Sequence, residues 1–393
     1  MTQVKAGKKA RKPSNNPWST PAMQQYRSMK EAHPECVLFF RMGDFYEMFD
    51  EDARTVSKAI GLTLTQRGNG MDMAGVPHHA AEGYLRKMVE QGFRVAVCEQ
   101  LENPAEAIGV VKRGVTRVVT PGTLVDEFLL DESKANLLGA MQCVDNTVSI
   151  AIVELSTGIF ELLQCPIDRL GDLLERLGMS EIIVEEDDVQ LSSIAKRFGV
   201  AQTPRPSWLF HLEEGHAQLE KQFNVTTVEG FGLTPRDARI GPAGALLAYL
   251  KQTQAGDSAL SHLRPPMIIR NDSFVALDAT TIRSLEIEQT MKGHATEGSL
   301  LWVMQRCHTT MGKRLLRQWL CEPLSCKKTI ESRQDVVSQF IADGELLRKT
   351  QATLDCIQDV ARIAGRVSMG RVTPRDIAAL GKSIYVCGEL ATL

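Results

Sequence analysis

The apolar positions of this chain change their period along its length, and each change marks a different kind of structure. From about residue 21 to 128 short apolar runs alternate with stretches of helical spacing. "CVLFFRM" (36–42) is continuous and apolar, as a buried strand requires. "YEMFDEDARTVSKAIG" (46–61) predicts an amphipathic helix, with Phe49, Ala53, Val56 and Ile60 on one face and Gly61 as its stop. "LRKMVEQGF" predicts a second helix, and "FRVAVCEQ" and "VTRVVTPG" predict two further strands. Between the helices, "TQRGNGMDMAGVPHHA" reads as a loop rich in Gly, Pro and His. The whole stretch predicts a small mixed α/β domain.

From about 129 to 264 a second α/β unit is expected. "TVSIAIVELSTGIFELLQC" is two strands joined at Ser156-Thr157-Gly158, and "SEIIVEEDD" is another short strand. "GPAGALLAYLKQT" begins with Gly241-Pro242, where proline suits the first turn of a helix. Beyond about 265 strand patterns vanish. "GSLLWVMQRC", "MGKRLLRQWLCEPL", "ESRQDVVSQFIADGELLRKTQATLDCIQDVARIAG" and "TPRDIAALGKSIYVCGELATL" all carry helical spacing, and the last runs to Leu393 without a closing cap. The chain is therefore expected to be one that stops inside an all-α region. It contains no internal repeat.

Length and composition add limits. A chain of 393 residues exceeds one ordinary core, and 43% hydrophobic with 24% charged residues describes a globular protein. The net charge of −3 neither requires nor excludes a nucleic-acid partner, because local basic patches suffice for one. Lys5, Lys8, Lys9, Arg11 and Lys12 precede every acidic residue, in a polar stretch (1–20) that reads as a disordered basic tail and not as a signal peptide. Nine cysteines are scattered, with no C-x-x-C pair and no His at zinc-site spacing. They read as reduced thiols of a cytoplasmic protein, and no apolar run approaches the ~20 residues of a membrane span.

Three constellations suggest chemistry. "DIAALGKS" (376–383) ends like a phosphate-binding loop, but Asp376 stands where that loop needs its first glycine, and "IAAL" favours helix. Glu154 on a strand, with Glu185, Glu186, Asp187 and Asp188 after another, could in principle gather divalent metal for a nuclease. His78 and His79 are adjacent, diverge on any regular element, and lack a nucleophile beside them.

"RMGDFYEMFD" (41–50) is the most informative stretch. On pattern alone, Gly43-Asp44 is a turn, Asp44 can cap a helix and Glu47 falls three residues later, a capping-box arrangement worth about 1 kcal/mol. Phe45 and Tyr46 would then be core residues.

Longer segments point elsewhere. "TPAMQQYRSMKEAHPECVLFFRMGDFYEMF", "LTLTQRG", "MAGVPHHAAEGYLRKMVEQGFRVAVCEQLENP" and "RVVTPGTL" together resemble the N-terminal mismatch-recognition domain of the bacterial MutS family. "GFGL", "LDATTIRSLEI" and "TTMGKRLLRQWLCEPL" resemble that family's connector and core regions. The resemblance runs in order from about residue 20 to the end. It implies a multidomain α/β plus α architecture: a mismatch-recognition domain (21–128), a ribonuclease-H-like connector (129–264) and the beginning of a helical core (265–393).

The resemblance also implies a role for each residue. The family's Phe-x-Glu motif falls on Phe45 and Glu47. Phe45 would stack on a mispaired base and Glu47 would contact that base, with Met42 and Arg67 in support. Expected partners are double-stranded DNA carrying mismatches or small insertion/deletion loops, a MutL-type repair protein, and a second copy in full-length members. ATP and Mg²⁺ are expected only for a C-terminal ATPase module beyond Leu393. No catalytic residue, cofactor, metal site or membrane contact is expected within the chain, and a cytoplasmic, nucleoid-associated location is. Two other functions stay open: an interaction module that contacts repair partners without useful DNA binding, and the nuclease built on Glu154 and the 185–188 acids. The two readings of Glu47 differ in one observable: a mismatch reader needs Phe45 exposed with Glu47 beside it.

Overall fold

A computed structural model describes residues 17–67, 70–103, 109–254, 260–269, 274–275 and 277–392. The basic stretch at the N-terminus lies outside them. The chain divides into two compact units, Met1–Val119 and Thr120–Leu393.

The first unit is a six-stranded mixed sheet. Its strands are β1 (Val37–Met42), β2 (Phe45–Phe49), β3 (Thr65–Arg67), β4 (Met71–Pro77), β5 (Val95–Gln100) and β6 (Arg113–Val119), in spatial order β3-β4-β2-β1-β5-β6. The apolar run of β1 is central, and Leu38, Phe39 and Phe40 are fully buried between the two faces. Helix α1 (Pro21–Ala32) lies on one face, where Tyr26 meets Phe40 and Phe49 edge-on at 5.4 and 5.0 Å. Helices α2 (Glu51–Ile60) and α3 (Ala81–Glu90) pack beside each other and against β2, β4 and β5.

Two predicted elements are corrected here. The helix over 46–61 is a strand through Phe49 followed by a helix from Glu51. Asp50, with φ +52°, breaks the backbone between them. Helical spacing from Ala53 onward is real, and Phe49 extends it by coincidence while obeying the strand's period of two. Glu47 is thus mid-strand, paired with Phe40 and Gly75, and caps no helix. The "TQRG…" loop is a hairpin, β3–β4, with Arg67 opposite Met71.

One buried carboxylate closes this unit. Asp52 accepts from Tyr26 Oη at 2.7 Å, Leu38 N at 3.1 Å and Lys30 Nζ at 2.8 Å. It continues the edge of β1 where the pairing with β2 has ended.

The second unit begins with another six-stranded sheet: β7 (Leu137–Val144), β8 (Thr147–Glu154), β9 (Ile159–Pro166), β10 (Glu181–Glu185), β11 (Ala201–Arg205) and β12 (Met267–Ile268), in order β11-β10-β7-β8-β9-β12. The antiparallel β7–β8–β9 meander, with β10 and β11 parallel to β7, is a ribonuclease-H-like arrangement. Asp145-Asn146, both at positive φ, turn β7 into β8. Helices α4 (Leu170–Leu177) and α5 (Val189–Arg197) cover one face. Helices α6 (Leu212–Phe223) and α7 (Ile240–Thr253) cover the other, and α7 is buried along most of its length. Strand β12 lies beyond the residue at which strands were expected to end, and it adds itself to β9.

Helices α8 (Ala279–Ser284), α9 (Leu300–Met304), α10 (Thr310–Cys321), α11 (Lys327–Ala342), α12 (Gly344–Leu354), α13 (Val360–Ser368) and α14 (Pro374–Leu390) complete the unit. Asp376 closes a capping box with Thr373 at the start of α14, so the Gly-Lys-Ser of 381–383 is helical and no phosphate loop. Among the described residues no helix is long and apolar enough to cross a membrane. The mixed sheets followed by helices match the expected multidomain α/β plus α class.

Candidate nucleic-acid interface

The tight β1–β2 hairpin turns at Gly43-Asp44, where Gly43 takes φ +60°, a conformation that disfavours a side chain. Strand alternation then puts Leu38, Phe40 and Met42 of β1 on one face with Phe45, Glu47 and Phe49 of β2. Under α1 this face is core: Leu38, Phe40 and Phe49 are buried. Phe45, at its hairpin end, is 47% exposed. Met42, partly buried, lies directly opposite Phe45 in the register.

Glu47 sits between these two environments, with 23% of its side chain exposed. Its neighbour across β4 is Gly75, whose missing side chain leaves the flank of Glu47 open. Arg67 Nη1 stands 3.6 Å from Glu47 Oε2, over the Phe49 ring, and touches Met23 Sδ at 3.7 Å. Arg113 lies over the Phe40 ring at 5.2 Å and donates to the carbonyls of Arg41 at 2.6 Å and Val111 at 2.9 Å. Burial pushes the Glu47 carboxyl above its ordinary value, while Arg67 and Arg113 pull it back.

The four residues expected from the sequence are therefore gathered at one end of one sheet face. Arg113 and Gly75 belong with them and were not anticipated. A lone glycine inside the strand-like "DMAGVP" was a readable sign of open space or close approach. Nothing local singles out Arg113, because its place depends on β6 joining the sheet. Chemically, the site offers a flat exposed ring, a carboxyl that can accept or donate a hydrogen bond according to its protonation, and two guanidinium groups.

The acidic constellation is separated by the fold. Glu154 pairs with Leu137 at one end of β7. Glu185 takes a hydrogen bond from Gln142 at 2.8 Å, near the other end. At about 3.3 Å per residue the separation is roughly 16 Å, whereas paired catalytic metals lie about 4 Å apart. Glu154 is buried, held by Ser156, Thr157 and Arg362. Asp188 caps α5. Among the described residues no group of three or more His, Cys, Asp or Glu could hold a metal ion. The nuclease reading is set aside.

Comparison with known sequences places these features in a family. Profiles of MutS domain I, MutS domain II and MutS domain III match residues 20–128, 136–264 and 280–393. The chain is 38% identical to a DNA mismatch repair protein MutS of Alkaliphilus oremlandii over 390 residues, covering 95% of this chain and 44% of that protein. It is 36% identical to one of Anaplasma phagocytophilum over 388 residues, covering 97% and 47%. A relative from Chlorobaculum parvum is 37% identical over 383 residues, covering 95% and 44%. The chain thus spans somewhat less than half the length of these relatives. Three family domains in order, on a fold that accommodates each, make this chain a member of the MutS family of DNA mismatch-repair proteins.

Proposed function

We propose that this chain forms the mismatch-reading part of a DNA mismatch-repair protein, with Phe45 as an aromatic wedge and Glu47 as the group that contacts the unstacked base. The observation that carries this reading is the 47% exposure of Phe45 on a tight hairpin, with Glu47 two residues away on the same face. Exposed apolar side chains occur elsewhere in the chain; it is the half-exposed ring together with the adjacent carboxylate, in the family's Phe-x-Glu spacing, that favours a use outside the fold.

The mechanism is a reading of deformability. A ring driven into the minor groove unstacks one base step and kinks the duplex, at a cost of a few kcal/mol. A mispaired or extrahelical base has already lost part of its stacking, so bending there costs less. Phe45 would then recover stacking energy on the displaced base, about 1–3 kcal/mol. Glu47 penalises close approach to phosphates unless a base offers it a hydrogen bond, which favours displaced bases over intact pairs. Arg67 and Met42 support the motif, the one by holding the Glu47 carboxylate and the other by backing the ring. The partner is duplex DNA carrying a mispair or a small insertion/deletion loop. A MutL-type protein and a second copy of the full-length protein are proposed as the chain's protein partners.

Fluorescence anisotropy on two duplexes that differ only by one unpaired base tests this. The wild-type chain is expected to prefer the defective duplex, and Phe45→Ala to reduce that preference by about tenfold or more, the value of one stacked base. A wild-type chain without preference, or Phe45→Ala retaining it, rejects the reading.

A further inference from the structure

The back of the β1–β2 hairpin carries a cluster that faces away from the reading residues. Tyr46 is only 5% exposed and points to the opposite face from Phe45 and Glu47. Its ring lies 6.2 Å from that of Phe39 and 5.5 Å from that of His78. The Arg41 guanidinium stands over the same ring at 5.5 Å. The Tyr46 hydroxyl donates to the carboxylate of Glu99, which belongs to β5, two strands away. Arg41 Nη1 is 4.0 Å from the other oxygen of Glu99 and its Nε donates to the carbonyl of Gly43. On the β4 side, His78 N–H donates to the carbonyl of Asp44 at 2.8 Å. Tyr46 therefore links β2 to Arg41 of β1, to Glu99 of β5 and to His78 after β4, and Arg41 and His78 in turn hold the carbonyls of the turn at 43–44.

We infer that Tyr46 is a positioning residue for mismatch discrimination: braced by Arg41, Glu99 and His78, it keeps the hairpin rigid so that Phe45 loads the DNA instead of yielding to it. The inference rests on the reading of Phe45 as a wedge. Strand β2 is paired with β1 and β4 up to Phe45, so the ladder holds the backbone, and what remains to be braced is the hairpin's open end at Gly43-Asp44 beside the ring. Discrimination is the difference between the costs of bending a paired and a mispaired step. If the hairpin deforms more cheaply than a paired step unstacks, the ring folds aside on intact DNA and that difference disappears. The brace is well suited to resist this. Its hydrogen bond ends on a charged acceptor, which strengthens it, and it acts on the residue adjacent to the wedge.

The test compares wild type, Tyr46→Phe, Glu99→Gln, Glu99→Ala and Phe45→Ala on a paired duplex and on the same duplex with one unpaired base. Tyr46→Phe keeps the buried ring and removes the hydroxyl alone. We expect its preference for the defective duplex to fall by about threefold to tenfold, the size of one net hydrogen bond. Its affinity for paired DNA should rise, because a yielding ring is spared the unstacking cost, and its thermal midpoint should fall by only a few degrees, the loss of one hydrogen bond. Glu99→Gln keeps an oxygen that can accept from Tyr46 and should retain most of the preference, whereas Glu99→Ala should not. Tyr46→Phe with an unchanged preference, or with equal losses on both duplexes, overturns the inference. Phe45→Ala separates the two levels. If it keeps the preference, the wedge reading itself is wrong; if it loses the preference and Tyr46→Phe does not, only the brace is wrong. A wild-type chain without preference removes both.

Discussion

Gly365 of α13 faces the carbonyl oxygen of Ser156 so closely that a Cβ on Gly365 would stand 2.3 Å from it. The helical region and the β8–β9 turn thus meet backbone to backbone. Gly365→Ala must push α13 away, and we expect a loss of about 1–3 kcal/mol, typical of overpacking a close contact. Gly381 in α14 is the control, since nothing lies within 4 Å of a Cβ there. Gly381→Ala should gain about 0.5–1 kcal/mol from helix propensity. Urea unfolding of both variants measures the contrast in sign.

Arg362 and Glu154 form the polar part of the same joint. Arg362 is 4% exposed, lies 3.7 Å from Glu154, and donates to the carbonyls of Asp131 at 3.0 Å and Lys134 at 2.7 Å. Arg362→Leu leaves a buried carboxylate without its cation and is expected to cost about 3–5 kcal/mol. Adding Glu154→Gln should recover part of that loss. A double variant as unstable as the sum of the two single ones would show that the pair is not coupled.

Glu161 supplies a pH dependence. Burial, with Glu322 and Glu154 as like charges nearby, raises its carboxyl from 4.5 to about 6. The fold therefore favours the protonated acid. That stabilisation is complete below the unfolded value of 4.5 and is lost as pH climbs through about 6. Glu161→Gln should accordingly be more stable than wild type at pH 8, with the advantage shrinking towards pH 4. An advantage that grows on acidification would contradict the sign.

Asp52 anchors the first unit. Asp52→Ala would strip the Leu38 amide of its side-chain acceptor, leave Lys30 only the Cys36 carbonyl at 2.6 Å and leave the Tyr26 hydroxyl only the more distant Phe49 carbonyl at 3.4 Å. The expected cost is about 2–4 kcal/mol, from unmet buried donors and a broken ion pair. Hydrogen exchange at the Leu38 amide should accelerate in the variant well beyond exchange at Val97, on the neighbouring strand.

How much of this could be read from residues alone depends on the range of the cause. The central strand at 37–42, the β8–β9 hairpin and α7 follow from local apolar runs and from Gly-Pro or Gly turns, and all three are present. The residues from Phe45 to Phe49 misled because Phe49 fits both a helix continuing to Ala53 and Val56 and a strand alternating with Tyr46 and Met48. Neighbouring strands decided between them, since β2 is enclosed by β1 and β4. The Asp52 network and the Glu154–Arg362 pair join residues far apart in sequence, and no local pattern announces them. At the interface, the Phe-x-Glu motif was legible through family resemblance. Its support by Arg113, and by Tyr46 through Glu99, exists only once β5 and β6 have joined the sheet.

The sheet face under α1 changes character along its length, from the packed rings of Phe40 and Phe49 to the open ring of Phe45. Under the proposed function, folding and reading fall to different residues of the same strand. On the proposed reading, substitutions at Phe45 would erase recognition while leaving the molecule as abundant and as heat-resistant as before. A survey of variants scored by expression or melting temperature would pass them as harmless. If the proposal holds, the damage would surface only in an assay of mismatch discrimination.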